Sequence, residues 1–172
     1  NNDALESIDL NIAYPSDLEA ERLELRDNAN LNAVSVTMQN DDVRRLSKLV
    51  VINNGGSTTE TWALLLPGLT GSVSNGEHRV EVTGNKNLSA FRMGHESSPG
   101  SMAKFQHFTV SENSELEAVV IYREDGPNRN KVLGLKSLRL ESNPKLEVFR
   151  MSFGASNFWN PKILDTVVVS DN

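Results

Sequence analysis

Residues 135–151 read LKSLRLESNPKLEVFRM, and the spacing of this stretch decides the fold. Written around Asn143, it is L-x-x-L-x-L-x-x-N-x-x-L-x-x-F-x-M. Around Asn113 the same template runs from Phe105 to Ile121 as F-x-x-F-x-V-x-x-N-x-x-L-x-x-V-x-I. Around Asn85 it collects Val80, Val82, Leu88, Phe91 and Met93, and around Asn28 it collects Leu23, Leu25, Leu31, Val34 and Val36. Asn54 heads a weaker copy behind Leu46, Leu49 and Val51. Leu164, Val167, Val169 and Asn172 open one more, expected as an incomplete last rung.

The aligned asparagines stand 26, 31, 28, 30 and 29 residues apart. A period of this size marks stacked repeats, each too small to bury its apolar face alone. Before each asparagine the alternation has period two, as in Leu138-Arg139-Leu140, which predicts a short strand. After the N-x-x-L corner it resumes through Val148-Phe149-Arg150-Met151, and the β-branched and aromatic content again favours a strand. Two strands and a corner per repeat predict an all-β, right-handed parallel β-helix-like solenoid of about five rungs over residues 23–172. The hand is that of the usual crossover between parallel strands.

Residues 1–22 fit the template poorly, with Pro15 where an asparagine belongs. Ser16-Asp17-Leu18-Glu19 has the form of a helical capping box, so this segment is expected to cap the first rung. Residues 55–60 interrupt the copy at Asn54, so Trp62, Leu64 and Leu66 are expected to reach their core positions late. The expected core is Leu25, Leu31, Val51, Val82, Leu88, Val110, Leu116, Leu140, Leu146 and Val169. Loops rich in Gly, Pro, Ser and Asn at 94–100, 124–130 and 154–161 are expected as variable returns outside the rungs.

An asparagine repeated at a corner has a physical reason. Turning the chain leaves backbone N–H and C=O groups that no sheet bond reaches, and a carboxamide offers both an acceptor and donors. Stacked copies also bond one another. Asn28, Asn54, Asn85, Asn113, Asn143 and Asn172 are therefore read as a structural ladder.

The totals bound the rest. At 172 residues and 38% hydrophobic the chain can bury a sizeable core. Its net charge of −6, without a basic run, argues against nucleic acid and anionic membrane surfaces. No apolar run approaches the roughly 18–20 residues of a membrane span. With no cysteine and three scattered histidines, neither a disulfide nor a metal or cofactor site is expected.

The repeat resembles leucine-rich repeats, except that Leu31, Leu88, Leu116 and Leu146 follow the asparagine by three residues rather than two. That corner, as in Val82-Thr83-Gly84-Asn85-Lys86-Asn87-Leu88 and Glu141-Ser142-Asn143-Pro144-Lys145-Leu146, followed by a second strand, is similar to the receptor L domain of the insulin- and EGF-receptor families. Microbial leucine-rich surface proteins share the style. Metazoan L domains carry cysteines, whereas Ser89 follows the corner leucine here, which points to a microbial relative. The resemblance implies a cell-surface or secreted protein that binds proteins or glycans.

Candidate chemistry is sparse. The outward positions of the first strand are Glu24, Val50, Glu81, Thr109, Arg139 and Val168, a mixed column typical of a solvated face. In the second strand, Ser35, Arg92, Val120 and Arg150 form the outward column, and two arginine forks beside a valine suit an acidic or glycan partner. Tyr122, Phe158 and Trp159 add aromatic binding candidates. Asn87-Leu88-Ser89 is an N-glycosylation sequon. No catalytic constellation stands out, so a non-enzymatic binding or adhesion module is the leading expectation. The alternatives are a carbohydrate-active β-helix enzyme and a purely structural segment of a longer surface protein. The unfinished last rung is expected either to belong to a longer coil or to leave an edge over residues 167–169 that pairs with another chain.

Overall fold

The computed structural model describes residues 4–12, 22–38, 48–56, 61–66, 79–93, 106–121, 136–151 and 166–172. These form twelve strands and no helix: β1 (Ser7–Ile12), β2 (Arg22–Arg26), β3 (Ala33–Met38), β4 (Lys48–Ile52), β5 (Trp62–Leu66), β6 (Arg79–Thr83), β7 (Leu88–Met93), β8 (His107–Ser111), β9 (Ala118–Ile121), β10 (Ser137–Glu141), β11 (Val148–Met151) and β12 (Thr166–Ser170). Odd-numbered strands make one six-stranded sheet and even-numbered strands another. Every pairing is parallel. Successive strands thus alternate between sheets, and each sheet grows by one strand per repeat. This interleaving is consistent with a β solenoid.

Period-two alternation sends every second side chain into the space between the sheets. The even sheet contributes Leu49, Val80 and Phe108 in one column and Leu25, Val51, Val82, Val110 and Leu140 in the next, all buried. The odd sheet contributes Val34, Leu64, Phe91 and Val119. Phe91 and Phe108 stack across the core with ring centroids 6.0 Å apart, tying one sheet to the other. The corner leucines Leu31, Leu88 and Leu116 are no more than 1% exposed.

Two expectations are corrected. Val169 is 63% exposed and Leu146 only half-buried, because no described strand lies beyond β12 in one sheet or β11 in the other. The same absence leaves Val167 54% and Phe149 38% exposed, although both occupy inward columns. Ser7–Ile12, within the expected cap, forms β1 and pairs with β3 in register Ile8 to Val34. Leu5, packed against the core, follows Asn2 in sequence at the N-x-x-L spacing. The capping box at Ser16 and the loops at 94–100, 124–130 and 154–161 lie outside the described residues.

Trp62 and Leu64 reach the core after the interruption at Asn54, being 3% and 0% exposed. Trp62 aligns with Leu88, and a register shift follows before Ala63 aligns with Ala90. Skipped by that shift, Ser89 donates its hydroxyl hydrogen to the Trp62 carbonyl at 3.0 Å.

Candidate functional site

The asparagine ladder is built as its chemistry requires, over all six positions. Each side-chain amide donates to the Oδ1 of the next rung's asparagine: Asn28 to Asn54 at 2.8 Å, Asn54 to Asn85 at 3.0 Å, Asn85 to Asn113 at 3.1 Å, Asn113 to Asn143 at 3.1 Å and Asn143 to Asn172 at 3.0 Å. The backbone N–H of the same five residues donates to that same Oδ1. The second amide hydrogen serves carbonyls: Asn113 Nδ2 lies 3.0 Å from the Val82 carbonyl and 2.9 Å from that of Ser111. Asn54, Asn85, Asn113 and Asn143 are fully buried.

The residue before each ladder asparagine has positive φ: Asp27, Asn53, Gly84, Glu112, Ser142 and Asp171, all between 53° and 64°. In the first five its N–H donates to a strand carbonyl of the following rung, as from Glu112 to Glu141 at 3.1 Å. The spacing template misses this column, yet four of its six residues are Asp, Asn or Gly, the types that tolerate the left-handed region best.

Outside the core the two faces differ. On the even sheet the register is Glu24, Val50, Glu81, Thr109, Arg139, Val168, as the spacing predicts, although Val50 is fully buried rather than solvated. Its arginines are all neutralised locally. Arg22, Arg26 and Lys48 converge on Glu24, Arg79 pairs with Glu81 at 3.1 Å, and Arg139 pairs with Glu141 at 2.9 Å. Partial burial raises the Glu24 carboxyl, but hydrogen bonds and charge from Arg22 and Arg26 outweigh it and hold the pKa down to about 2. At the corner, the Glu115 carboxylate hydrogen-bonds Lys145 and raises its pKa.

On the odd sheet the outward column is Asp9, Ser35, Leu65, Arg92, Val120, Arg150. Both arginines are exposed, and among the described residues neither makes an ion pair or a side-chain hydrogen bond. Leu65 is 42% exposed, and Val120 between the arginines is 8% exposed. Beside this column run Ala63, Ala90 and Ala118, then Val148 at 44% exposure. The structure therefore brings Arg92 and Arg150 together on one face with apolar neighbours. Leu65 is missing from the sequence-derived column because residues 55–61 displace its strand.

The remaining candidates are scattered. Tyr122, Phe158 and Trp159 lie outside the described residues. Asn87 sits in the left-handed region at the corner, half-buried, its carbonyl accepting from the Trp62 N–H at 2.8 Å. His107, half-buried at the start of β8, shares a 3.0 Å hydrogen bond with the Ser137 hydroxyl. Among the described residues, no three His, Cys, Asp or Glu side chains cluster in a way that could hold a metal, and no helix is long and apolar enough to cross a membrane. No protein-family model, curated protein or solved structure matches the chain.

Proposed function

We propose that this chain is a non-enzymatic binding or adhesion module of a cell-surface or secreted protein, recognising a protein or glycan through the outward face of the odd-numbered sheet. The scaffold in this reading is a right-handed β solenoid of the receptor L-domain or leucine-rich-repeat type. One observation carries the binding reading: among the described residues Arg92 and Arg150 stand exposed and unpaired, while every described arginine of the even face is neutralised. A charge left without an internal partner is free to meet an external one at no cost of breaking an existing pair. The enzymatic alternative finds less support on the even face. Its best-held carboxylate, Glu24, is ionised at any ordinary pH and so is unsuited to donate a proton.

The test is a glycan and protein array probed with the full chain and with its Arg92→Glu and Arg150→Glu variants. Binding that both substitutions abolish supports the face. Robust binding indifferent to both overturns it.

A second reading concerns the last rung. Phe149, Val167 and Val169 are exposed on β11 and β12, the last described strands of their sheets, and a strand from another chain would cover them. Light scattering on eluting protein distinguishes a dimer from a monomer, and a clean monomer at high concentration removes this reading.

A further inference from the structure

Resting on the odd-face reading, we propose that the partner is an acidic amphipathic helix of another protein, lying along the stacking direction across β5 to β11. Neighbouring strands of a sheet stand about 4.8 Å apart, so Arg92 and Arg150, two strands apart, are separated by about 9.6 Å along that direction. On an α-helix, residues seven apart lie on one face and about 10.5 Å apart. Carboxylates at i and i+7 therefore meet the two guanidinium forks nearly in register. An extended strand laid the same way matches less well: its same-face residues recur at about 6.8 Å and 13.6 Å, neither near the arginine spacing.

The apolar positions fit the same partner. Leu65 precedes Arg92 by one strand and Val120 follows it by one, so apolar and basic residues alternate down the column. A helix whose apolar residues fall at i−4 and i+3 sets them over Leu65 and over the Val120 floor. The neighbouring Ala90 and Ala118 are small enough for a helix backbone to lie close. An acidic polysaccharide offers the charge but no aliphatic side chains to place over Leu65, which favours the protein partner.

The experiment is fluorescence anisotropy with the full chain and labelled helical peptides. The matched probe has Glu at i and i+7 and Leu at i−4 and i+3. The control has the same composition, with the second Glu moved to i+5. The matched probe is expected to bind at least about tenfold more tightly than the control. Its affinity should fall with added salt, as exposed charge pairs do. Arg150→Glu should weaken it by a similar factor, and replacing the probe's i+7 Glu with Lys should restore binding to that variant. Equal affinity for matched and shifted probes overturns the helix. So does displacement of the matched probe by polygalacturonate at equal carboxylate concentration, although a site that Arg150→Glu still weakens keeps the face reading alive. Binding of every probe unchanged by Arg92→Glu and Arg150→Glu overturns both. If no probe binds, the helix is refused, and the array decides the face separately.

Discussion

The corners at Asn113 and Asn54 perform the same turn with different parts. At Asn113 the turn is minimal: the Leu116 N–H bonds the Asn113 carbonyl at 3.2 Å, and Leu116 drops into the core. At Asn54 seven residues, 55–61, separate the asparagine from the residue in the leucine position. The Asn54 carbonyl accepts instead from the Lys86 N–H at 2.8 Å, and the Gly55 N–H bonds back to Asn28 at 2.9 Å. Trp62 returns to fill the leucine position, its indole Nε1 donating to the Lys86 carbonyl at 2.8 Å. The ladder bonds are alike at both corners. What the stack requires is the asparagine and its amide contacts, while the leucine is one of several ways to fill the space beneath.

That contrast can be broken at its strongest point. Asn113→Leu strips hydrogen bonds from the buried Asn85 amides and from two carbonyls. One buried group left unsatisfied costs roughly 1–3 kcal/mol, so a loss of about 3 kcal/mol or more is expected in chemical denaturation. A midpoint equal to wild type would refute the ladder as the common requirement. Gly55→Ala should come next. Its φ is +77°, and a Cβ there would stand 2.3 Å from the Lys86 carbonyl oxygen. Left-handed strain alone costs about 1–2 kcal/mol for a residue with a side chain. No comparable loss is expected from Ser114→Ala at the minimal corner, and equal losses at the two sites would erase the difference between them.

Trp62→Phe keeps an aromatic body but removes the indole donor, orphaning a part-buried carbonyl for about 1 kcal/mol. A thermal melt coincident with wild type would mean that water replaces the indole freely. Ser142→Gly is the smallest effect and has the opposite sign. With φ at +55°, Ser142 carries strain that glycine lacks, set against the greater unfolded-state freedom of glycine. A net gain of about 0.5 kcal/mol or less is expected, and a clear loss would show that the Ser142 side chain contributes more than its backbone costs.

Legibility in the sequence followed physical necessity. The ladder was readable because few residues besides asparagine satisfy a corner from inside. The outward columns were readable because strand alternation leaves no freedom once the register is known. β1 is hard to read because Asn2, Leu5, Ile8 and Leu10 match only the second half of the template, ahead of Pro15. Leu65 was hidden by an interruption of variable length, which spacing alone cannot bridge. The exposure of Val169 was beyond a pattern that describes what a rung contains and not what covers it. Pairing on the even face was equally out of reach, since whether Arg79 meets Glu81 or solvent depends on rotamers.

The ladder also has a direction. All five amide-to-amide contacts point one way, with carboxamide oxygens toward Asn28 and the hydrogens of these bonds toward Asn172. Aligned amides sum to a macrodipole, as they do in an α-helix, but here it arises from side chains and has its positive pole at the Asn172 end. Any group that closes that end meets N–H donors and must bring an acceptor, such as a carbonyl or a carboxylate. A group closing the opposite end meets the reverse demand.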